Sequence, residues 1–312
     1  MRGIKFVRST RIAAAGAVFA AAVAALGSPA AVAAPVCPGA GQAPVLVGSA
    51  PGTVIEGAIV DGLGRLYLTD LSSARVLRID RPGAPAVPIA TVPGAMSGGL
   101  AWAPDGALLV GYGDARVAVG DIARSAGIVK VDLATGAVHP FATGLSAANG
   151  LAVARDGTVY ATNDLASLVG RVLPNGVVQP DWAVLPSANG AALSADDRYL
   201  YVSRTFTNPG VSRIPTASPG APESLVTFGG ADVLAAPDGL VLDAHGRPVV
   251  PTDVGGEILR VDGPNQFCAL AGGLRASSVL TYGRGSGGFS EGRLFRAGFD
   301  GDIYEIPGGF DR

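Results

Sequence analysis

The stretch Asn149-Gly150-Leu151-Ala152-Val153-Ala154-Arg155-Asp156-Gly157-Thr158-Val159-Tyr160-Ala161 decides the fold. Two short apolar runs flank an Arg-Asp-Gly turn, the pattern of a β-hairpin whose strands are largely buried. The arrangement recurs with openings at Glu56-Gly57, Gly98-Gly99, Asn189-Gly190, Asp238-Gly239 and Ser277-Ser278. Successive openings lie roughly 40 to 50 residues apart, a period that belongs to propeller blades or solenoid units. A third run alternates, as in Val76-Leu77-Arg78-Ile79-Asp80, Ile128-Val129-Lys130-Val131-Asp132 and Ile258-Leu259-Arg260-Val261-Asp262. A cation between aliphatics marks a strand with one wet face. A weaker fourth run, Val87-Pro88-Ile89-Ala90 or Val138-His139-Pro140-Phe141, holds prolines that suit an outer edge. Four antiparallel strands per unit, with no stretch of 3.6-residue periodicity, predict an all-β, six-bladed propeller.

The ends of the repeat array fit a closed ring. The last copy supplies 293–299 and 302–306 without a fourth strand, whereas Pro44-Val45-Leu46-Val47-Gly48 stands alone ahead of the first copy. The N-terminal strand is therefore expected to complete the last blade. Cys37 and Cys268 are the two cysteines, and in an exported chain an even count reads as a disulfide, here one that clips the ends together. Export is itself read from Arg2, Lys5, Arg8 and Arg11, the uncharged run 12–26 and the small residues Ala31-Val32-Ala33. Residues 1–33 thus read as a secretory signal peptide, and 34–312 as a single propeller domain.

The formal charge is −2, and setting aside the leader's cations leaves roughly −6, so no basic field favours nucleic acid. The expectation is a secreted monomer acting on a small molecule, with neither nucleic acid nor, once the leader is removed, a membrane as partner.

In a propeller the first strand of each blade lines the central channel. The opening residues Glu56, Gly98, Asn149, Asn189, Asp238 and Ser277 should therefore meet at one mouth. Converging carboxylates raise each other's pKa unless a cation neutralises them. Two carboxylates and two amides form a hard, all-oxygen cage, which points to Ca²⁺ first, with Mg²⁺, Mn²⁺ or Zn²⁺ as substitutes. The bland alternative is that each Asn-Gly or Asp-Gly pair is only a turn. His139, on an outer run, and His245, in a hairpin turn, are expected to be solvated. Nucleophile-elbow, P-loop and HExxH motifs are absent from the sequence. Asp70, Asn163, Asp164, Arg204 and Asp253 end second strands and could reach the same mouth. Asn163 and Arg204 join Asn149 as candidate substrate contacts. Arg204 reads either as a cation for a carboxylate or oxyanion or as an ion-pair partner of Asp164 or Asp253. Trp102 and Trp182 read as packing residues.

Glu56-Gly57, Asn149-Gly150, Asn189-Gly190 and Pro237-Asp238-Gly239, in that order, together with Tyr67-Leu68-Thr69-Asp70 and Arg75-Val76-Leu77-Arg78-Ile79-Asp80, resemble the SMP-30/gluconolactonase/LRE-like family. A more distant likeness is to the paraoxonases. The resemblance implies a divalent metal on Glu56, Asn189 and Asp238, with Asn149 contacting substrate or completing the metal shell. It further implies lactone hydrolysis with Asp238 as base. Two departures stand out. Ala147 occupies the place of a sugar-lactonase Arg, which removes a hydroxyl-binding cation. The histidines used by paraoxonases and by virginiamycin lyase have no counterpart. Three readings follow: a metal-dependent hydrolase of a lactone or related cyclic ester, a noncatalytic binding module with structural Ca²⁺, and a strictosidine-synthase-like, non-hydrolytic enzyme.

Overall fold

The quoted hairpin forms the two innermost strands of one blade, Leu151–Val153 against Val159–Ala161. Its turn closes because Asp156 accepts from Thr158 N (2.8 Å) and Gly157 adopts φ +90°, a conformation suited to glycine. Leu168–Val172 and Val178–Val184 complete the sheet outward. The computed structural model describes residues 34–311, so the predicted leader at 1–33 lies outside the described residues. Within 34–311 the chain builds six four-stranded antiparallel sheets, each running from an inner strand outward in chain order, apart from the closing strand of the sixth. They are blades 1 to 6, whose inner strands are Ile55–Val60, Met96–Trp102, Leu151–Val153, Ala188–Leu193, Val241–Leu242 and Ser277–Tyr282. The predicted six-bladed propeller is what forms. Among the described residues no helix is long and apolar enough to cross a membrane.

Blade 6 closes as expected. Its outer strand is Val45–Ser49 from the start of the chain, paired antiparallel with Asp302–Glu305. The Cys37–Cys268 disulfide is present, but it falls one blade earlier than the closure itself. Cys268 lies on the outer strand Gln266–Ala271 of blade 5. Residues 35–37 run parallel to that strand, with Cys37 N donating to Ala269 O (2.9 Å) and Ala269 N to Pro35 O (2.8 Å). The chain is thus pinned to blade 5 before it crosses to blade 6. In the chain-entropy account, a link across so long a loop stabilises by roughly 5 kcal/mol.

The apolar faces of the strands pack between neighbouring blades. Ile55, Leu66, Leu68 and Ile79 of blade 1 meet Val279, Phe289, Phe295 and Ile303 of blade 6. Near the axis the blades approach backbone to backbone. A methyl group on Gly190 would lie 2.2 Å from Leu240 N, and one on Gly150 2.4 Å from Asn189 O. Neither glycine has a positive φ, so the repeated glycine serves close approach between blades rather than a turn. Hydrogen bonds stitch the same seams: Thr69 Oγ1 donates to Gly98 O (2.7 Å), Gly99 N to Ala148 O (3.1 Å) and Gly239 N to Ser278 O (2.7 Å). The hydroxyls of Thr162 and Ser203 donate to the carbonyls of Asn189 and Asp238. These seams fix the backbone from which the candidate site projects.

Candidate metal centre at the channel mouth

The inner strands of all six blades bound an axial cavity of about 390 Å³. Ala58, Leu100, Leu151, Leu240 and Leu280 line its shaft, while Glu56, Asn149 and Asn189 border one end. Asp238 immediately precedes Gly239, another lining residue. Its backbone is held on both sides, with Asp238 N donating to Pro251 O (3.1 Å) and its carbonyl accepting the Ser203 hydroxyl. Asn189 Nδ2 donates to Thr205 Oγ1 (3.0 Å), which donates in turn to Pro237 O (2.7 Å). Asn149 Nδ2 donates to Asp164 Oδ1 (3.0 Å).

The electrostatics follow from crowding buried acids at one end of the channel. Burial, then the charge of Asp164, pushes the Glu56 carboxyl up to about 8; the adjacent Asn149 amide pulls it down and Asp253 pushes it up further. Burial also drives Asp238 well above the usual carboxylate range, reinforced by Glu56, Asp253 and Asp164 and opposed by Asn189. Asp164 is raised to about 6 by burial, against its hydrogen bonds. Asp253 is likewise raised to about 6 by burial, against the charge of Arg296. Glu56 is 9 % exposed, and its Oε2 is buried with no hydrogen-bond partner. A carboxylate oxygen left bare in this way is strongly unfavourable unless protonated or bound to a cation.

The donors fit a hard divalent ion, being oxygen-only and dinegative when ionised. Among the described residues no three His, Cys, Asp or Glu side chains form a metal-holding group by themselves. A cation here would therefore need amide oxygens from Asn149 and Asn189 beside Glu56 and Asp238.

The structure thus associates the four predicted residues Glu56, Asn149, Asn189 and Asp238, and adds the charges of Asp164 and Asp253. Other candidates go elsewhere. Asn163 is fully buried: Nδ2 donates to Val117 O (2.9 Å) and Ser146 Oγ (2.8 Å), and Oδ1 accepts from Leu165 N (2.9 Å). It fastens a loop, with both of its amide protons engaged there. Arg204 reaches away from the axis to the outer strand of blade 4, where its guanidinium donates to Ser224 Oγ (3.1 Å), Val226 O (3.0 Å) and Thr227 Oγ1 (3.0 Å). It pairs with neither Asp164 nor Asp253 among the described ion pairs, because strand alternation is decisive. Ser203 faces blade 5, so Arg204 must take the opposite face of its own sheet. Asp70 is consumed locally by Val54 N, Ser72 N, Ser72 Oγ and the Ser73 hydroxyl. The Ser277 hydroxyl donates to Leu274 O and accepts from Arg296 Nε (2.6 Å). Sequence reasoning did not single out this Arg296, which is fully buried and is the cation acting on Asp253. His139 and His245 are exposed, away from the mouth. Trp102 and Trp182 pack against Tyr67 and Tyr160.

The family model described as the SMP-30/Gluconolactonase/LRE-like region matches residues 56–268. No curated protein sequence matches the chain. Among solved structures, a gluconolactonase from Xanthomonas campestris is 21% identical, with a TM-score of 0.67 over 90% of this chain and 99% of that one. The calcium-binding protein regucalcin from Agrobacterium tumefaciens is 18% identical, with a TM-score of 0.68 over 85% and 93%. Virginiamycin B lyase from Staphylococcus aureus is 17% identical, with a TM-score of 0.56 over 85% and 87%. At such identities the structural likenesses speak to the fold.

Proposed function

This chain belongs to the SMP-30/gluconolactonase/LRE-like family, and from that premise we propose that it is an exported, metal-dependent lactone hydrolase centred on Glu56, Asn189, Asp238 and Asn149. The observation that carries the proposal is the buried, unpartnered Oε2 of Glu56 in a cluster that also raises the pKa of Asp238. Glu56, Asn189 and Asp238 would hold the ion, Ca²⁺ by the hardness of the donors, and Asn149 would complete the shell or orient substrate. When bound, such a cation polarises an ester carbonyl and makes water more acidic.

The remaining chemistry falls to the chain's own side chains. Asp238, at the mouth beside the ion, accepts the proton as water adds to the lactone carbonyl. The same carboxyl returns it to the ring oxygen as the acyl C–O bond breaks. Asn149, braced by Asp164, presents its amide at the mouth. The Cys37–Cys268 disulfide supports export, since such bonds persist in oxidising compartments.

The test strips the protein of metal, reloads it with Ca²⁺, Zn²⁺ or Mn²⁺, and assays aldono-, γ-alkyl and homoserine lactones. Turnover should return with metal and fall about 10³-fold in a folded Asp238→Asn variant. Stoichiometric metal binding without turnover would instead mark a binding module, and metal-independent turnover would overturn the proposed centre.

A further inference from the structure

Two arginines are buried among the described residues, and only one has a counter-charge. Arg296 is fully enclosed, but its Nη1 donates to Asp300 Oδ1 (2.8 Å). Arg204 is 7 % exposed and has no such carboxylate. Glu223, the acid on the strand that Arg204 reaches, is taken by Arg213 (2.6 Å). Burial lowers the Arg204 pKa, and no acid lies near enough to oppose the shift. A guanidinium stays protonated all the same. Arg204 is thus an uncompensated charge in the interior, which is costly until an anion completes it.

The hydrogen bonds of this guanidinium are unevenly shared. Nη2 faces three acceptors, Ser224 Oγ (3.1 Å), Val226 O (3.0 Å) and Thr227 Oγ1 (3.0 Å), with two protons to divide among them. Nε, whose proton points along the same edge, is buried with no partner. That edge is the fork by which arginine grips two oxygens of one anion. Ser224 and Thr227 are exposed, so the fork lies beneath a single layer of hydroxyls. The two hydroxyls bond to each other (3.0 Å), which leaves one of their protons free to donate outward. The frame is rigid, because Arg204 pairs with Gly210 and Gly210 with Thr227 across three strands of blade 4. None of Arg204, Ser224 and Thr227 lines the axial cavity.

We infer that Arg204, Ser224 and Thr227 form a second binding site, on blade 4 and apart from the channel mouth, for a tetrahedral oxyanion such as a sulfate or phosphate group. Turning one hydroxyl aside opens the fork to two oxygens of the anion, and the remaining hydroxyl donates to a third. A flat carboxylate engages the fork alone. The test is calorimetric titration of sulfate, inorganic phosphate and acetate into the protein, with chloride holding the ionic strength constant. Sulfate or phosphate should bind saturably at one equivalent, and acetate about tenfold more weakly for want of the third bond. Arg204→Met should abolish saturable binding, and Ser224→Ala/Thr227→Val should raise Kd about tenfold, each with its melting temperature checked. Glu56→Gln, which alters the mouth, should leave the affinity unchanged. Should Arg204→Met fail to fold, the double variant at the surface decides. Absence of saturable binding, an affinity unchanged in the double variant, or binding lost in Glu56→Gln would overturn the inference. Acetate binding as tightly as sulfate would overturn the tetrahedral assignment.

Discussion

The two ends of the inner hairpins carry the same kind of residue under opposite conditions. At the far turn of blade 1, Asp61 accepts from Leu63 N (3.0 Å), Arg65 N (2.9 Å), Arg65 Nε (2.7 Å) and Tyr67 OH (3.1 Å). In blade 5, Asp243 repeats the pattern with His245 N, Arg247 N and Arg247 Nε. Burial alone would raise the Asp61 pKa, yet the Arg65 bonds outweigh it and hold the carboxyl low. At the mouth, Glu56 and Asp238 have the burial without enough donors, and their carboxyls are pushed up. The residue type is the same, and what differs is the number of donors aimed at it. One end of the hairpin uses its carboxylates to hold the turn; the other leaves them unsatisfied, available to a cation.

That contrast can be broken most directly at the well-satisfied end. Asp61→Ala should destabilise the protein by about 3 kcal/mol in urea unfolding, because it strands a turn's backbone donors and the Tyr67 hydroxyl, while leaving Ca²⁺ affinity unchanged. Loss of Ca²⁺ affinity with stability intact would reverse the assignment of the two ends. Next in size is the effect of the ion itself. Ca²⁺ at about 100 times its Kd should add about 2.7 kcal/mol to the wild type and nothing to Asp238→Asn.

The two ends should also diverge with pH. Glu56 is raised, so the metal-free fold holds the extra proton; that stability is present below the ordinary carboxylate range and is lost as pH rises through about 8. Asp61 is lowered, so its contribution is present above that range and is lost as pH falls below it. Melting temperatures of the metal-free protein should therefore fall on both the acid and the alkaline side, and Ca²⁺ should flatten only the alkaline fall. The smallest effect has the most telling sign. Glu56→Gln should stabilise the metal-free protein at pH 8 by about 1 kcal/mol, through relief of repulsion, while abolishing the response to Ca²⁺. A destabilised Glu56→Gln variant would make this carboxylate structural after all.

Much of this was legible in the repeat. Runs such as Leu151–Val153 and Val159–Ala161 announce a hairpin through their apolar residues and the Asp-Gly between them, and the isolated Val45–Ser49 run announces the closure. The mouth residues were legible because equivalent positions in a cyclic repeat must share one end of its axis. Asp164 and Asp253 could be named as second-strand ends, though their charges on Glu56 could not be weighed without burial. Arg204 and Asn163 were not legible in their actual roles. The first depends on which sheet face the last residue of a strand occupies, and the second on the 114–123 insertion, which departs from the repeat and captures a side chain from the next blade. The blade that receives Cys37 was hidden for a similar reason, since nothing in residues 35–37 signals a short parallel strand.

The glycine seams carry one more consequence. With neighbouring staves touching at their main chains, the girth of the shaft is set by peptide dimensions, and no substitution of one stave can enlarge the bore without prising apart the joints on either side. Descendants of this chain that take on new ligands are therefore expected to diverge at the crown, by lengthening, trimming or recolouring the loops above the ring, while the gauge of the channel beneath is inherited unchanged.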